Sequence, residues 1–151
     1  MAANSRFAIA VHIMSMMAWA GEEPLQSEQV ACSVNTNPVV IRRILCALQR
    51  ARLVVSQTGS TGGSRLARKP GQITLLDIYR AVDAGDLFSL HRQPPNDSCP
   101  VGMNIETVLE DVLAEVGQSI ERVLAKITIE KVLQAIEPRT SMLRRGRKTV
   151  A

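Results

Sequence analysis

The order of apolar and polar positions divides the chain into helices and one short hairpin. In SRFAIAVHIMSMMAWAG the residues Phe7, Ala10, Val11, Met14, Met17 and Ala18 recur at three- and four-residue spacing, the period of an amphipathic helix ending near Gly21. Met14, Met16 and Met17 read as core filler, because flexible thioethers at helical spacing pack irregular interiors. His12 on the same helix is read the same way. Residues 27–33 make a second, short helix, whose Cys32 is expected in the core. Asn35 then falls where a tight interhelical turn needs a residue that tolerates positive φ. Asn37-Pro38 supplies an N-cap and a proline at the first helical position, so a third helix starts at Pro38. On it Ile41, Ile44, Leu45 and Leu48 share a face that should be buried, leaving Val39, Arg42, Arg43, Cys46 and Arg50 opposite.

Next, LVVSQ and SRLAR flank the glycine-rich TGSTGG, the pattern of two strands and a loop, or wing. Gly59, Gly62 and Gly63 would let backbone amides approach a phosphate or lie along a minor groove, with Arg65, Arg68 and Lys69 adding charge. A nucleotide-binding loop would need Lys-Ser or Lys-Thr after its last glycine, whereas Gly63 is followed by Ser64-Arg65. Thr74 with Asp77 forms a capping box and Ile73 with Ile78 a hydrophobic staple, so a helix begins at Leu75 and runs to about Val82. Pro94, Pro95 and Pro100 are expected to keep the following loop irregular, as a hinge or sensor segment.

From Asn104 to Ile127 one stripe runs through Ile105, Val108, Leu109, Val112, Val116, Ile120, Val123 and Ile127. At 1.5 Å per residue such a helix spans about 35 Å, longer than a small wing domain covers, so a second copy of the chain is expected to bury it. Gly117 would permit close helix approach. A short final helix over residues 128–136 should stop at Pro138. The expected fold is therefore mainly α with a small β-wing: a winged helix-turn-helix domain at 1–83, a loop at 84–102, a dimerisation helix plus final helix at 103–137, and a basic, disordered tail at 138–151 that adds nonspecific DNA affinity or solubility.

Charge sharpens this picture. Residues 1–82 hold nine Lys or Arg against four acids, residues 83–138 four against ten, and residues 139–151 five against none. A basic first half suits double-stranded DNA, because phosphates neutralised by Lys or Arg release condensed counterions. The opposite face of the third helix fits the major groove: arginine forks pair with guanine and Val39 reaches a thymine methyl. Aromatics at 3% give no stacking platform for RNA. Neither HExxH, GxSxG nor a paired carboxylate set is present, which argues against an enzyme. The longest apolar stretch, Phe7 to Ala20, is interrupted and too short for a membrane span, and the N-terminal residues lack an export pattern, so a cytoplasmic protein is expected. Cys32, Cys46 and Cys99 are odd in number and widely spaced, the usage of reduced thiols.

The segments SRFAIAVHIM, NPVVIRRILCALQRARLV and GSTGGSRLARKPGQITLLDIYRAVD together resemble the Rrf-two family of bacterial winged-helix transcription regulators. The most specific pieces are the GG-x-RLA wing and the ITLLDIYRAVD helix; the likeness extends more loosely to about residue 136. It implies a homodimer on a partly palindromic operator, with Asn37, Val39, Arg42 and Arg43 in the major groove, Ser5 and Arg6 near phosphate, and the wing Thr58 to Gly63 in the minor groove. Cluster-binding members resemble one another in three closely spaced cysteines before the long helix. This chain has only Cys99 there, and Thr58 where those relatives place arginine. SCPVG resembles the cluster-free branch, so no iron-sulfur cofactor is expected. Cys99, beside a helix N-terminus, is the sensor candidate for a redox signal; a small-molecule signal is the other option. The expected function is a sequence-specific, DNA-binding repressor, the alternative a winged-helix interaction module that no longer binds DNA.

Overall fold

The computed structural model describes residues 5–82 and 85–146, with side chains up to Pro138. The expected domain boundary at 83/84 and the basic residues Arg147 and Lys148 lie outside the described residues. Six helices and one hairpin follow in the order α1 (Ser5–Ala20), α2 (Ser27–Val34), α3 (Pro38–Arg50), β1 (Val54–Gln57), β2 (Gly63–Leu66), α4 (Leu75–Ala81), α5 (Pro100–Leu124) and α6 (Ile129–Gly146), with a single 3-10 turn at Pro70–Gln72.

One core gathers the apolar faces of the first four helices and the start of the hairpin. From α1 it takes Ala10, Ile13, Met14 and Met17, from α2 Val30 and Ala31, and from α3 the four residues expected, Ile41, Ile44, Leu45 and Leu48. Each large aliphatic side chain withdrawn from water in this way contributes about 1.5–3 kcal/mol before entropy is counted. Ile13, outside the expected stripe of α1, is fully buried, while Phe7, Val11 and Ala18 only pack against the core margin. His12 and Cys32 were expected inside and are both exposed. His12 Nε2 lies 3.0 Å from Ser33 Oγ, so this imidazole ties α1 to α2 on the surface. Cys32 falls one position past Ala31, which turns it out of the face that α2 buries.

The local signals around the wing are realised closely. Asn35 adopts the left-handed conformation, φ 59°, and its N–H closes α2 on Ala31 O. Thr74 and Asp77 exchange the two hydrogen bonds of a capping box at 3.1 and 2.9 Å, and Ile73 and Ile78 are both buried behind it. In the antiparallel hairpin Val54 pairs with Leu66, Val55 with Arg65, Ser56 with Ser64 and Gln57 with Gly63. Leu25 adds a third edge through the bridge Leu25 N to Ser64 O, 2.9 Å, and Ser64 N to Leu25 O, 2.8 Å.

The C-terminal half departs from expectation at both of its decisive prolines. Pro100 does not keep the loop irregular: it opens α5, four residues before the expected start at Asn104, because a first helical turn needs neither its missing N–H nor any other φ than the one its ring fixes. Pro138 does not stop the final helix either, and α6 continues through it to Gly146. The segment expected to be disordered from residue 138 is thus helical over its first part. Proline removes one backbone hydrogen bond but holds a helical φ, so a helix already anchored upstream can pass through it.

That anchor is Ile129, fully buried in the core of the winged domain. Around it Leu75 N donates to Ile127 O at 2.8 Å and Ile129 N to Ile73 O at 3.0 Å. The region expected as one unit, 103–137, therefore divides in its packing: α6 returns to α1 and the 3-10 turn, while α5 has no buried residue along its 25 positions.

Candidate nucleic-acid interface

The recognition surface begins with the cap of α3. Asn37 Oδ1 accepts from Val39 N at 2.9 Å, which satisfies one of the free N–H groups at the helix start and fixes the entry angle of the chain. Asn37, expected to read DNA, therefore has its carbonyl committed to the backbone and offers the amide NH2 outward. One face of α3 is locked into the core, so the other is held rigidly outward: Val39 is 46% exposed, and Arg42, Arg43, Cys46 and Arg50 are exposed beside it.

The two arginines differ. Arg42 Nη2 donates to Glu28 Oε1 of α2 at 2.6 Å, whereas Arg43 has no ion-pair partner among the described residues. The Glu28 carboxyl is held below the ordinary carboxylate range, first by a backbone hydrogen bond at the start of α2 and then by the Arg42 guanidinium. Because both side chains of the pair are more than half exposed, solvent screens it, and the guanidinium can exchange this partner for a phosphate or base. Arg42 thus links the two helices of the motif, a role its spacing along the sequence did not reveal.

The wing is fixed against α3 by residues that periodicity alone overlooked. Gln49 of α3 donates to Ser56 Oγ on β1, which lies 2.7 Å from Ser64 Oγ on β2. Since successive strand residues face opposite ways, Arg65 must lie on the other face of the hairpin from α3, and there its Nη1 donates to Glu22 Oε2 at 3.3 Å. Arg65 therefore lies apart from Arg42 and Arg43, on the face of the hairpin that carries Glu22. Arg68 and Lys69 follow on this second face, around a shallow hollow that Glu22 also lines.

Of the wing glycines, Gly59 sits exposed at the tip near Thr58, with φ 112°, a conformation that side chains resist. Gly62 and Gly63 serve the turn itself. A Cβ on Gly62 would collide with Gln57 O, and one on Gly63 would lie 2.8 Å from Leu25 O. Beside their expected approach to phosphate, each has a packing duty in the turn. Ser5 and Arg6 open α1 and are exposed.

Cys99 occupies the N-cap of α5, fully open to solvent. The backbone N–H groups of Gly102 and, secondarily, Val101 point at its sulfur and hold the thiol below its ordinary pKa. Along α5, Val108, Val112 and Val123 are 50–58% exposed, and Ile105, Leu109, Val116 and Ile120 are half-exposed. The stripe is only partly covered within one chain. No helix among the described residues is long and apolar enough to cross a membrane.

A helical core with a helix-turn-helix at α2 and α3, a hairpin docked on α3 and a basic exposed recognition face defines a winged helix-turn-helix protein of the DNA-binding class. The chain belongs to the Rrf2 family, whose model, described as an iron-dependent transcriptional regulator, matches residues 3–135. It is 40% identical over 131 residues to YwnA of Bacillus subtilis (strain 168), assigned as an HTH-type transcriptional regulator, covering 86% of this chain and 96% of that one. Among solved structures it resembles T. potens IscR at 26% identity and TM-score 0.68, over 89% of this chain and 88% of the other. It shares its fold with CymR, the global cysteine regulator of B. subtilis, at 20% identity and TM-score 0.65, over 87% and 95% of the two chains.

The family description raises the question of iron. Among the described residues no three His, Cys, Asp or Glu side chains converge as metal ligands, and Cys99 stands without a second thiol in the loop before α5. The donors among the described residues do not fit an iron or iron-sulfur centre.

Proposed function

We propose that this transcription regulator is a homodimeric, sequence-specific DNA-binding repressor of the cytoplasm, and that Cys99 tunes it through oxidation. The observation that carries the DNA reading is the division of α3 into a locked face, Ile41, Ile44, Leu45 and Leu48, and a free face with Val39, Arg42, Arg43 and Arg50. In this reading α3 enters the major groove, Arg43 reads a base edge directly, Arg42 leaves Glu28 for the DNA, and Thr58 and Gly59 at the wing tip approach the adjacent backbone. Ser5 and Arg6 contact phosphate.

The dimer reading rests on α5. A helix of 25 residues spans about 37 Å and leaves its apolar stripe only partly covered, with no residue fully buried, so a second copy contributing the same Ile105, Leu109, Val112, Val116, Ile120 and Val123 would complete a two-fold seam. The sensing reading rests on the exposed, backbone-stabilised thiol at the start of that helix. Oxidation of Cys99 would change the cap of the element that sets the spacing of the two winged domains.

The test is fluorescence anisotropy on the DNA upstream of the protein's own gene, across salt concentrations, with Arg42→Ala and Arg43→Ala. Each substitution should weaken specific binding by about 1–3 kcal/mol, roughly five- to 150-fold, if the arginine pairs bidentately with a base. Wild-type binding no tighter than to random DNA, or undiminished binding by both variants, would overturn the reading and favour an interaction module that has lost DNA binding. Repression itself is read from a reporter driven by the same DNA, which should fall when the protein is supplied.

A further inference from the structure

After α4 the chain folds back along α5. Tyr79 Oη donates to Gly85 O at 3.3 Å, which ties the loop at its start, and further on His91 Nδ1 passes 3.8 Å from Glu106 Oε1. Between these points residues 86–90 stand beside α5 and border a groove of about 570 Å³, within the range of small-molecule sites. Leu113, Ala114 and Gly117 of α5 line it together with Leu87 and Phe88 of the loop and Tyr79 of α4. Gly117 keeps it open, since no heavy atom lies within 4 Å of where its Cβ would stand.

Two features say what the groove would hold. Leu87 and Phe88 are 55% and 58% exposed, apolar surface that an apolar body would withdraw from water. The charged residues of the lining are Asp86 and Glu110, both acidic, and neither has an ion-pair partner among the described residues.

We propose that this groove is a binding site for a small organic cation with an apolar, aromatic body. Its rings lie against Leu87, Phe88 and Leu113, its charge is met by Asp86 and Glu110, and the Tyr79 and Phe88 rings add attraction through their π faces. A second copy of the chain is the rival occupant, but the stripe assigned to it runs through Val112 and Val123, which do not line this groove; Val116 and Ile120 border both. A ligand here touches α4 of the winged domain and the edge of the α5 seam at once. Its regulatory effect rests on the DNA-binding reading; its binding does not.

The experiment is isothermal titration of the full chain, without DNA, with tetraphenylphosphonium and with its near-isosteric anion tetraphenylborate. The expected result is cation binding at least tenfold tighter than anion binding, weakened several-fold in Glu110→Gln and lost in Gly117→Leu. Thermal melts and molar mass check that both variants keep their fold and assembly; Glu110→Gln, a surface change, carries the test should Gly117→Leu fail that control. Equal affinity for the two ions, binding of neither, or full cation affinity in Glu110→Gln would overturn the proposal. A protein that binds the cation but no DNA would leave this site standing and sink the reading of the α3 face.

Discussion

Replacing Gly63 by alanine should unseat the root of the wing. The added Cβ would stand 2.8 Å from Leu25 O, 2.9 Å from Leu25 C and 3.1 Å from Leu25 N, all backbone atoms that cannot swing aside like a flexible side chain. Ordinary carbon contacts lie near 3.5–4.0 Å, so the two backbones must part by about half an ångström or more. That stretches the reciprocal Leu25 and Ser64 hydrogen bonds, 2.9 and 2.8 Å long, toward the limit of useful geometry. At about 0.5–1.5 kcal/mol for each bond, with some strain retained, Gly63→Ala should lose about 2 kcal/mol. For a chain of this size that lowers Tm by about 4–8 °C. Urea unfolding followed by circular dichroism measures it, with Gly59→Ala as the comparison, since a Cβ there meets nothing and only the backbone conformation resists. A Gly63→Ala protein within about 0.5 kcal/mol of wild type would refute the packing argument. The outcome also governs how DNA data are read, because weaker binding by this variant would report a displaced wing rather than a lost phosphate contact.

Other substitutions probe the remaining parts. Gly117→Ala should stabilise the protein by about 1 kcal/mol through helix propensity, since its Cβ meets open space; a lower Tm would mean that a second copy packs against Gly117. Val116→Asp places a charge in the α5 stripe and should turn a dimer into a monomer by light scattering, and an unchanged mass would remove α5 as the seam. Glu28→Gln frees Arg42 and removes an acid beside the recognition face, so DNA affinity should rise several-fold at low salt and less at high salt; a fall would show that the ion pair positions α3 for binding. Because the backbone N–H groups of Gly102 and Val101 hold its thiol below its ordinary pKa, Cys99 should be alkylated faster at pH 7 than the cysteine of an unfolded peptide, with a rate that rises with pH and levels off earlier than the peptide's; equal rates and midpoints, read by mass spectrometry, would contradict the cap geometry.

Much of the winged domain was legible in the sequence because its signals are local. Asn35, Asn37-Pro38 and the Thr74 capping box act through bonds within three or four residues, and a spacing of three and four is enough to separate Ile41, Ile44 and Leu48 from Arg42 and Arg43. The family resemblance rested on the same short-range patterns, and the family match over residues 3–135 agrees with it. Periodicity is weaker where a helix is buried on more than one side, as the burial of Ser15 on α1, off the face of Ala10, Ile13, Met14 and Met17, shows.

What the tertiary structure alone decided are the relations between segments distant along the chain. Whether Pro138 ends a helix depends on the anchoring of Ile129 against Ile73, some 56 positions earlier, and no pattern within α6 encodes it. The glycine-rich basic hairpin points Gly63 and Arg65 toward DNA, but it does not show their neighbours Leu25 and Glu22, which lie about 40 residues away; only the closed fold brings those backbones and charges together. The groove beside Gly117 is of the same kind, made by a loop and a helix whose own sequences show no site, because a cavity is a property of the space between elements and local sequence specifies only the elements.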